Sequence, residues 1–578
     1  MINLTINNIN VEVEPGATIL DAAKKAGVNI PTLCHLDLHD INMVNKAGTC
    51  RVCMVEVAGR RALAPACSTG CAEGMSVVTN TPRAISARRT MVELLLSNHP
   101  SDCLVCAKNK HCDLQTLAAD LGVREIRYRG ARSKHAKDTS SYSLVRDPNK
   151  CILCRRCETM CNEVQTVGVY SAVHRGFNTV MTTAFDNPIL DTACTFCGQC
   201  ASVCPTGALT FVNDVPKVWK ELTDPDKFVI VQTAPAVRVA LGEEFGMDAG
   251  SRVTGKMVSA LRRLGFSKVM DTDFAADLTI MEEASELVHR LQHGGPLPIL
   301  TSCCPAWVKF IEHQFPELLD IPSSCKSPHE MFGAVAKTYL AEKLGVDPRK
   351  IVVVSIMPCL AKKYEAQREE LAENSEIKNV DYVLSTRELA AMIREAGISF
   401  ADLPDGDFDA PLGQSTGASV IFGTTGGVIE AAVRTANAWL TKNDSGKVDF
   451  EELRGMDGVR VATVNVAGTE LTIAIANGLG NARKLLEDVR DKKAVYHAIE
   501  IMACPGGCVG GGGQPYHNND YELIRKRAAA LYSEDKDKPL RMSHQNPDIQ
   551  TLYAEFLGEP YGEKAHHLLH TDFKKRDL

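Results

Sequence analysis

The sequence predicts a multidomain protein in which small α+β modules precede a large α/β domain. Three observations carry this expectation. At 578 residues the chain is too long for a single hydrophobic core. Its 22 cysteines crowd at short spacings before residue 205 and return singly or in pairs after residue 300. From residue 213 onward, strand-like runs alternate with helical stretches, the pattern of an α/β sheet.

Hydrophobic content of 45% and charge of 23% are ordinary for a soluble globular chain. The net charge of −7 argues against a nucleic-acid partner, which favours a basic face. Met1-Ile-Asn-Leu-Thr-Ile-Asn-Asn lacks the basic and apolar parts of a signal peptide, and no apolar run is long enough to span a membrane. The expected compartment is therefore the cytoplasm, where thiols at metal spacing read as ligands rather than disulfides.

Residues 1–78 open with alternation, Ile2, Leu4 and Ile6, then Val11 and Val13 beyond an Asn-Asn turn, which is a hairpin pattern. Thr18 to Ala26 predicts a short helix stopped by Gly27. Cys34, Cys50, Cys53 and Cys67 follow, fitting a 2Fe–2S cluster in a ferredoxin-like β-grasp domain. The fifteen residues between Cys34 and Cys50 exceed the plant-type gap. In this the region resembles hydrogenases and respiratory complex I subunits. A fifth cysteine, Cys71, reads as a small buried residue.

Residues 79–118 read as helical around Met91 to Leu96 and lead to His99, Cys103, Cys106 and Cys112. A Cys3His set also suits zinc. The stretch resembles the HPxDCxxCxxxxxC signature of the same families, in which this set binds a 4Fe–4S cluster. Residues 119–141, basic and polar around Arg124 to Lys137, read as a surface connection.

Residues 142–212 carry Cys151, Cys154, Cys157 and Cys161, then Cys194, Cys197, Cys200 and Cys204 followed by Pro205. This is the two-cluster bacterial ferredoxin pattern, in which the last cysteine of each run ligates the other cluster. Cys151, Cys154, Cys157 and Cys204 should share one 4Fe–4S cluster, and Cys161, Cys194, Cys197 and Cys200 the second. Asn162 stands where the first run would repeat the proline. Two zinc ribbons do not have this spacing.

Within residues 213–578 the predicted strands are Phe228–Gln232, Ile299–Thr301, Ile351–Ile356 and Arg460–Asn465; predicted helices include Val253–Leu264 and Gly427–Thr441. Strand ends are followed by cysteines: Cys303 and Cys304 in Thr301-Ser-Cys-Cys-Pro-Ala-Trp307, Cys359 in Met357-Pro-Cys-Leu-Ala-Lys-Lys-Tyr-Glu365, and Cys504 and Cys508 in Met502-Ala-Cys-Pro-Gly-Gly-Cys-Val-Gly-Gly-Gly-Gly513. Ligand sites of open α/β sheets lie at such ends. Glycines around the last pair let backbone wrap a bulky object through angles that other residues resist, and no phosphate-loop or dinucleotide spacing is present. Neighbours on an extended segment point opposite ways, so Cys304 is expected to ligate with Cys359, Cys504 and Cys508 while Cys303 stays free. Tyr532, Leu552, Tyr553 and Phe556 read as a packing stripe, and the histidines at 566, 567 and 570 as a solvated or packed C-terminus.

These three stretches resemble the signatures TSCCPxW, MPCxxKKxE and ExMACPGGCxxGGG of the catalytic domain of FeFe (iron-only) hydrogenases, present in order. The resemblance implies an H-cluster: a 4Fe–4S cubane on Cys304, Cys359, Cys504 and Cys508, joined through Cys508 to a two-iron unit with CO, cyanide and a dithiolate bridge. It implies that Lys362 contacts a cyanide and that Met357, Met502, Pro235, Ala236 and Phe422 line the site. It also implies a proton relay of Cys303, Glu283, Ser323 and Glu286 with Arg290 near its exit. The plain alternative for that helix is a solvated acidic face with one i,i+4 ion pair. An unligated thiol with a pKa of about 8.5 is close enough to neutral to pass protons both ways. Cys325 reads as structural.

The implied protein is a reversible hydrogenase working on H2 and protons. Its electrons pass through one 2Fe–2S and three accessory 4Fe–4S clusters, the outer ones as entry ports. Potentials of roughly −400 mV, usual for plant-type ferredoxin clusters, suit that couple. Two partners remain open: soluble ferredoxin, or NAD(P)-reducing flavin and iron–sulfur subunits in an electron-bifurcating complex. Maturation proteins are implied for the two-iron unit. Three rivals account for less. A cluster-assembly relative does not need Cys303, Lys362 and the glutamates; hydrogen sensors typically alter the relay cysteine; an electron-transfer subunit leaves residues 213–578 unexplained.

Overall fold

Alternation at the start of the chain becomes a hairpin in the computed structural model, which describes residues 1–43, 45, 48–372, 377–444 and 447–577. Strands Ile2–Ile6 and Ile9–Val13 pair antiparallel with Leu4 opposite Val11. Asn7 and Asn8 make the turn at φ 48 and 65, angles that asparagine tolerates. The five-stranded sheet runs, in spatial order, Ile9–Val13, Ile2–Ile6, Ser76–Val78, Met54–Val57, Ala64–Pro65. Helix Ile19–Lys25 starts on a Thr18–Asp21 capping box and buries Ile19 against Leu4, Ile6, Val55 and Val77. Helix Pro82–Asn98 opens on a Thr81 cap with Pro82 in its first turn, where proline's missing N–H costs nothing. It ends at His99, extended before Pro100.

Chain contacts divide the molecule into two compact units. One comprises residues 1–162, 168–190 and 203–210, the other 163–167, 191–202 and 211–578. Cys194, Cys197 and Cys200 thus fall with the C-terminal unit, and Cys204 with the other. Both runs share one backbone device: Leu153 and Arg155 in the first, Phe196 and Gly198 in the second, take positive φ of 55, 63, 56 and 77. These turns aim the Leu153 N–H at the Cys151 sulfur and the Phe196 N–H at the Cys194 sulfur, each at 3.4 Å, a concavity that suits iron–sulfur sites.

The C-terminal unit is built on two sheets. In the first, Lys268–Asp271, Phe228–Thr233, Ile351–Met357 and Tyr382–Ser385 lie side by side, all parallel. In the second, Ile299–Leu300, Ala498–Met502 and Thr469–Asn477 are parallel and Val459–Val466 closes the edge antiparallel. Ile351–Met357 is buried at every residue, as a parallel strand covered on both faces must be. The predicted helices appear as Thr254–Arg263 and Gly427–Thr441. Helix Thr272–His293 runs through the core; among the described residues no helix is long and apolar enough to cross a membrane. In the tail, Leu552 and Tyr553 pack into the main core. His566 and His567 stay exposed, whereas buried His570 has Nε2 2.9 Å from Glu282 Oε2 and Nδ1 2.8 Å from Ser324 Oγ. Cys71 is half-buried against the N-terminal core.

A charged knot ties the Gly427–Thr441 helix to the tail. Arg434, fully buried, bonds Glu430 at 2.8 Å and Asp535 at 2.9 Å, and Arg454 reaches Glu430 at 2.6 Å. Removing one partner strands a buried charge, at about 3–5 kcal/mol. Arg434→Ala should therefore lower the thermal unfolding midpoint markedly. Arg490→Ala, which loses the exposed pair with Asp491 and a 5.8 Å contact over the Phe315 ring, should shift it far less.

Candidate metal centre

Both sheets deliver the ends of their strands to one place. Cys359 lies just past Ile351–Met357, Pro235 past Phe228–Thr233, Cys303 past Ile299–Leu300 and Cys504 past Ala498–Met502. A cavity of about 80 Å³ opens there, lined by Cys303, Cys304, Cys359, Cys508 and Lys362; one water needs only about 10–15 Å³. Pro235, Ala236, Met357, Phe422 and Met502 complete its apolar wall. Cys504 stands just behind, its thiol influenced by Cys359, Cys304, Cys197 and Cys508. Cys303 and Cys304 both reach this cavity, so their division of labour lies in their outer neighbours rather than in opposite faces.

The residues fit a thiolate-bound cluster. Burial pushes all four thiols up, Cys359 to about 12 with Cys304 the next cause. The protein alone therefore holds them protonated, and a soft metal group must displace those protons to bind. The glycine run has a different reason from the one expected. Only Gly506 and Gly507 need positive φ, at 78 and 91. Gly510 to Gly513 are required for space: a Cβ would stand 2.4 Å from Pro505 O at Gly510, 2.3 Å from Pro358 O at Gly511 and 2.7 Å from Cys197 O at Gly512.

Lys362 is fixed from behind. Its Nζ donates to Cys303 O at 3.0 Å and to Glu365 Oε2 at 2.7 Å. His329 Nε2 meets the same carboxylate oxygen at 2.7 Å. Gln232 Nε2 donates to Ser355 Oγ, which lies 3.3 Å from His329 Nδ1. Burial pushes His329 down to about 4, keeping it a neutral donor to Glu365.

The acidic helix face is buried, contrary to a solvated reading: Glu283, Glu286 and Arg290 all lie inside. Glu283 Oε1 accepts a weak 3.5 Å bond from the Ser302 N–H, and its other oxygen has no partner. Ser323 Oγ donates to Glu286 Oε2 at 2.8 Å, and Arg290 Nη2 to Glu286 Oε1 at 2.5 Å. Arg290 also donates to the carbonyls of Pro296, Ile321 and Pro322, fixing the segment that presents Ser323. Burial, then the Glu286 charge, pushes Glu283 up to about 8. Burial raises Cys303 well above the ordinary thiol value, with Glu283 the next cause. The group that burial brings closest to neutrality here is thus the carboxyl of Glu283, whereas burial favours the protonated thiol of Cys303. Cys325 is buried with Sγ 4.0 Å from Glu286 Oε2 and 3.9 Å from His570 Nδ1.

The N-terminal unit gathers the other sets. Cys53 and Cys67 sulfurs are 3.3 Å apart, Cys34 contacts both Cys50 and Cys67, and the Gly48 N–H points at Cys34 Sγ at 3.4 Å. Nδ1 of His99 is buried without a partner and burial keeps the ring neutral, the form that ligates. Cys103, Cys106 and Cys112 follow it in one loop, and a Cβ at Gly207 would stand 2.6 Å from Cys106 Sγ. Cys151, Cys154, Cys157 and Cys204 line one cavity of about 30 Å³, the crossed grouping that their spacing predicts. Cys161 receives the Val169 N–H at 3.4 Å. Cys194 and Cys200 are buried and Cys197 half-buried on the C-terminal unit.

Some supporting groups carried no sequence signal. His329 and Lys309 are isolated residues whose neighbours are distant in sequence. Glu365 and Glu500 stand inside quoted motifs without an evident role. In the fold, Glu500 accepts the Gly426 and Ile429 N–H groups at 2.6 and 2.9 Å, capping the Gly427–Thr441 helix from the strand that carries Cys504.

Known sequence families match the chain in the same order. "2Fe-2S iron-sulfur cluster binding domain" covers residues 1–82, "NADH-ubiquinone oxidoreductase-G iron-sulfur binding region" 88–127 and "4Fe-4S dicluster domain" 133–208. "Iron only hydrogenase large subunit, C-terminal domain" covers 227–512 and "Iron hydrogenase small subunit" 521–576. The NADP-reducing hydrogenase subunit HndD of Solidesulfovibrio fructosivorans is 58% identical over 100% of this chain and 99% of its own length. Iron hydrogenase 1 of Clostridium pasteurianum is 38% identical over 100% of both. A solved variant of the [FeFe]-hydrogenase HydA1 from Chlamydomonas reinhardtii superposes with a TM-score of 0.58 at 42% identity, covering 64% of this chain and all of that one. Full-length similarity at this level, on a multidomain α/β scaffold with 2Fe–2S and 4Fe–4S domains, means that the chain belongs to the iron-only (FeFe) hydrogenase family, oxidoreductases that act on H2.

Proposed function

We propose that this chain interconverts H2 with two protons and two electrons at an H-cluster held by Cys304, Cys359, Cys504 and Cys508. The observation that carries this reading is the meeting of those four thiols beside a cavity that also presents Cys303 and Lys362. When bound, the cluster supplies the H2-binding site and the two-electron chemistry. Lys362, held by Glu365 and the Cys303 carbonyl, offers a fixed ammonium to an anionic ligand in the cavity. Cys303 exchanges a proton with the cavity and with Glu283, Ser323 links onward to Glu286, and Arg290 holds the outer end. Infrared spectroscopy of a fully matured sample tests the assignment: carbonyl and cyanide stretching bands are expected, and a matured sample without them would refute it.

The accessory modules are proposed as 1–78 with one 2Fe–2S cluster, 79–118 with one 4Fe–4S cluster and 142–212 with two more, feeding residues 213–578. Proximity of Cys197 to Cys504 supports the cluster of Cys194, Cys197 and Cys200 as the final electron carrier. The full-length likeness to an NADP-reducing hydrogenase subunit supports a role as the H2-activating member of an NAD(P)-reducing assembly, with ferredoxin as the second carrier if that assembly bifurcates electrons. The native protein should therefore co-purify with a flavin-containing partner. Maturation proteins are proposed to install the two-iron unit, so a chain produced without them should hold its iron–sulfur clusters and lack turnover.

Cys303→Ala should retain the iron content of the parent and lose turnover by about 10²- to 10⁴-fold, the usual worth of a positioned proton-transfer group. Glu283, near 8, gives a pH signature. At fixed driving force, H2 oxidation should rise and H2 evolution fall as pH climbs through about 8, because the carboxyl changes from donor to acceptor; Glu283→Gln should abolish that limb in film electrochemistry. Its folded value exceeds the ordinary carboxyl value, so the folded state resists its ionisation. This contribution to stability is full at low pH and declines as pH rises toward 8, a slope the Gln variant should lack.

A further inference from the structure

Lys309 is a buried cation for which no partner is evident in sequence. It sits on helix Pro305–Gln314, which begins at Cys304, and is 3% exposed. Its Nζ donates to the Cys194 carbonyl at 2.8 Å and lies over the Phe196 ring at 4.2 Å and the Tyr364 ring at 4.9 Å. Those rings are 4.7 Å apart. Phe196 lies between Cys194 and Cys197, and Tyr364 is on helix Ala361–Glu365 beyond Cys359. One ammonium thus joins the segments carrying Cys194, Cys304 and Cys359.

Among the described residues no carboxylate lies within ion-pair distance of Lys309. The charges that face it are already matched. Glu312 is bound by Arg368 at 2.6 Å and by Arg576 at 2.8 Å, and Arg368 also holds Glu370 at 2.8 Å. His313, one turn along, is kept neutral by burial. Two aromatic faces and one carbonyl stabilise an ammonium, but a buried charge ordinarily has a counter-charge. The anionic group nearest to hand is what Cys194, Cys197 and Cys200 would bind, a thiolate-ligated and net-negative iron–sulfur cluster.

We propose that Lys309 is a tuning residue for the last accessory cluster, its ammonium favouring the reduced form and so raising that cluster's reduction potential relative to its neighbours. The inference rests on the proposal above that Cys194, Cys197 and Cys200 hold one 4Fe–4S cluster. Cluster potentials respond to net charge, hydrogen bonding and exposure, and Lys309 supplies the first two at the Cys194 end. A raised potential makes this cluster the better acceptor during H2 oxidation and the weaker donor during H2 evolution.

The test is an EPR-monitored redox titration of the holoenzyme with Lys309→Met, Lys309→Gln and Lys309→Arg, alongside iron content. Both neutral variants should move one 4Fe–4S midpoint to more negative potential and leave the other accessory midpoints in place, with Lys309→Arg close to the parent. An unmoved midpoint with the cluster intact would overturn the proposal, as would equal shifts in Arg and Met, which would make Lys309 a packing element. If the neutral variants lose the cluster and Arg keeps it, charge is required; loss in all three would refute a charge role. Cys200→Ser separates the layers: unless it removes one 4Fe–4S signal, the underlying cluster assignment fails rather than the role of Lys309.

Discussion

Four thiols from three segments far apart in sequence have to reach one buried volume, and backbone must approach backbone for them to do so. The Gly510 to Gly513 run is where that requirement is met. The loop after Cys508 slides against Pro358 on one side and against the Cys197 carbonyl on the other, at distances that leave no room for a Cβ. An alanine at Gly511 or Gly512 would push apart the strand end that carries Cys359 or the loop that carries Cys197. The parallel strands of the two sheets serve the same constraint, since they deliver their ends to the cavity, and Ile351–Met357 and Ala498–Met502 are buried along their whole length. Glu500 then locks the Cys504 strand to the helix that follows Phe422, through two N–H bonds at the helix start.

Pairing sorts the ionisable groups around the cavity into those that are held and those that are left under-paired. Lys362, Glu365 and His329 form a closed set in which each charge has a partner. Glu286 is likewise held, by Arg290 and Ser323. Glu330, behind His329, keeps one oxygen without a hydrogen bond and is pushed up to about 8 by burial, and Glu283 beside Cys303 is held less still. It has one weak bond and one orphaned oxygen, so burial keeps it protonated near neutral pH. A carboxyl with few fixed bonds and a value near the working pH is suited to passing a proton, while its paired neighbours are suited to shape and charge.

Much of this was legible in the sequence where the signal is local. Ligand spacing is a short-range property: the x2-x2-x3 runs predict two crossed groups, and the members of one, Cys151, Cys154, Cys157 and Cys204, line one cavity. Strands such as Ile351–Met357 and the helix Gly427–Thr441 appear in composition and periodicity alone. What sequence could not carry is burial and distance. The Glu283–Glu286–Arg290 face reads equally well as solvated, because three and four residue spacing says nothing about what packs over it. The thiol of Cys303 reads as near-neutral from its ordinary value, whereas enclosure moves it upward and brings the Glu283 carboxyl to about 8. Glycine was credited with conformational freedom, yet four of the six in the loop are there for lack of a side chain. His329 and Lys309 sit at unremarkable sequence positions and acquire meaning only from partners on other elements.

One peptide bond separates two thiols with different outer neighbours. Cys303 and Cys304 both line the cavity, and the difference between them lies in what stands behind each. Behind Cys303 are Glu283 and, through its carbonyl, Lys362. Cys304 instead begins the helix whose Lys309 reaches the Cys194 carbonyl, and the Cys197 thiol lies close enough to act on Cys504. The two thiols therefore face different surroundings: hydroxyl and carboxyl groups behind Cys303, sulfur and aromatic rings behind Cys304.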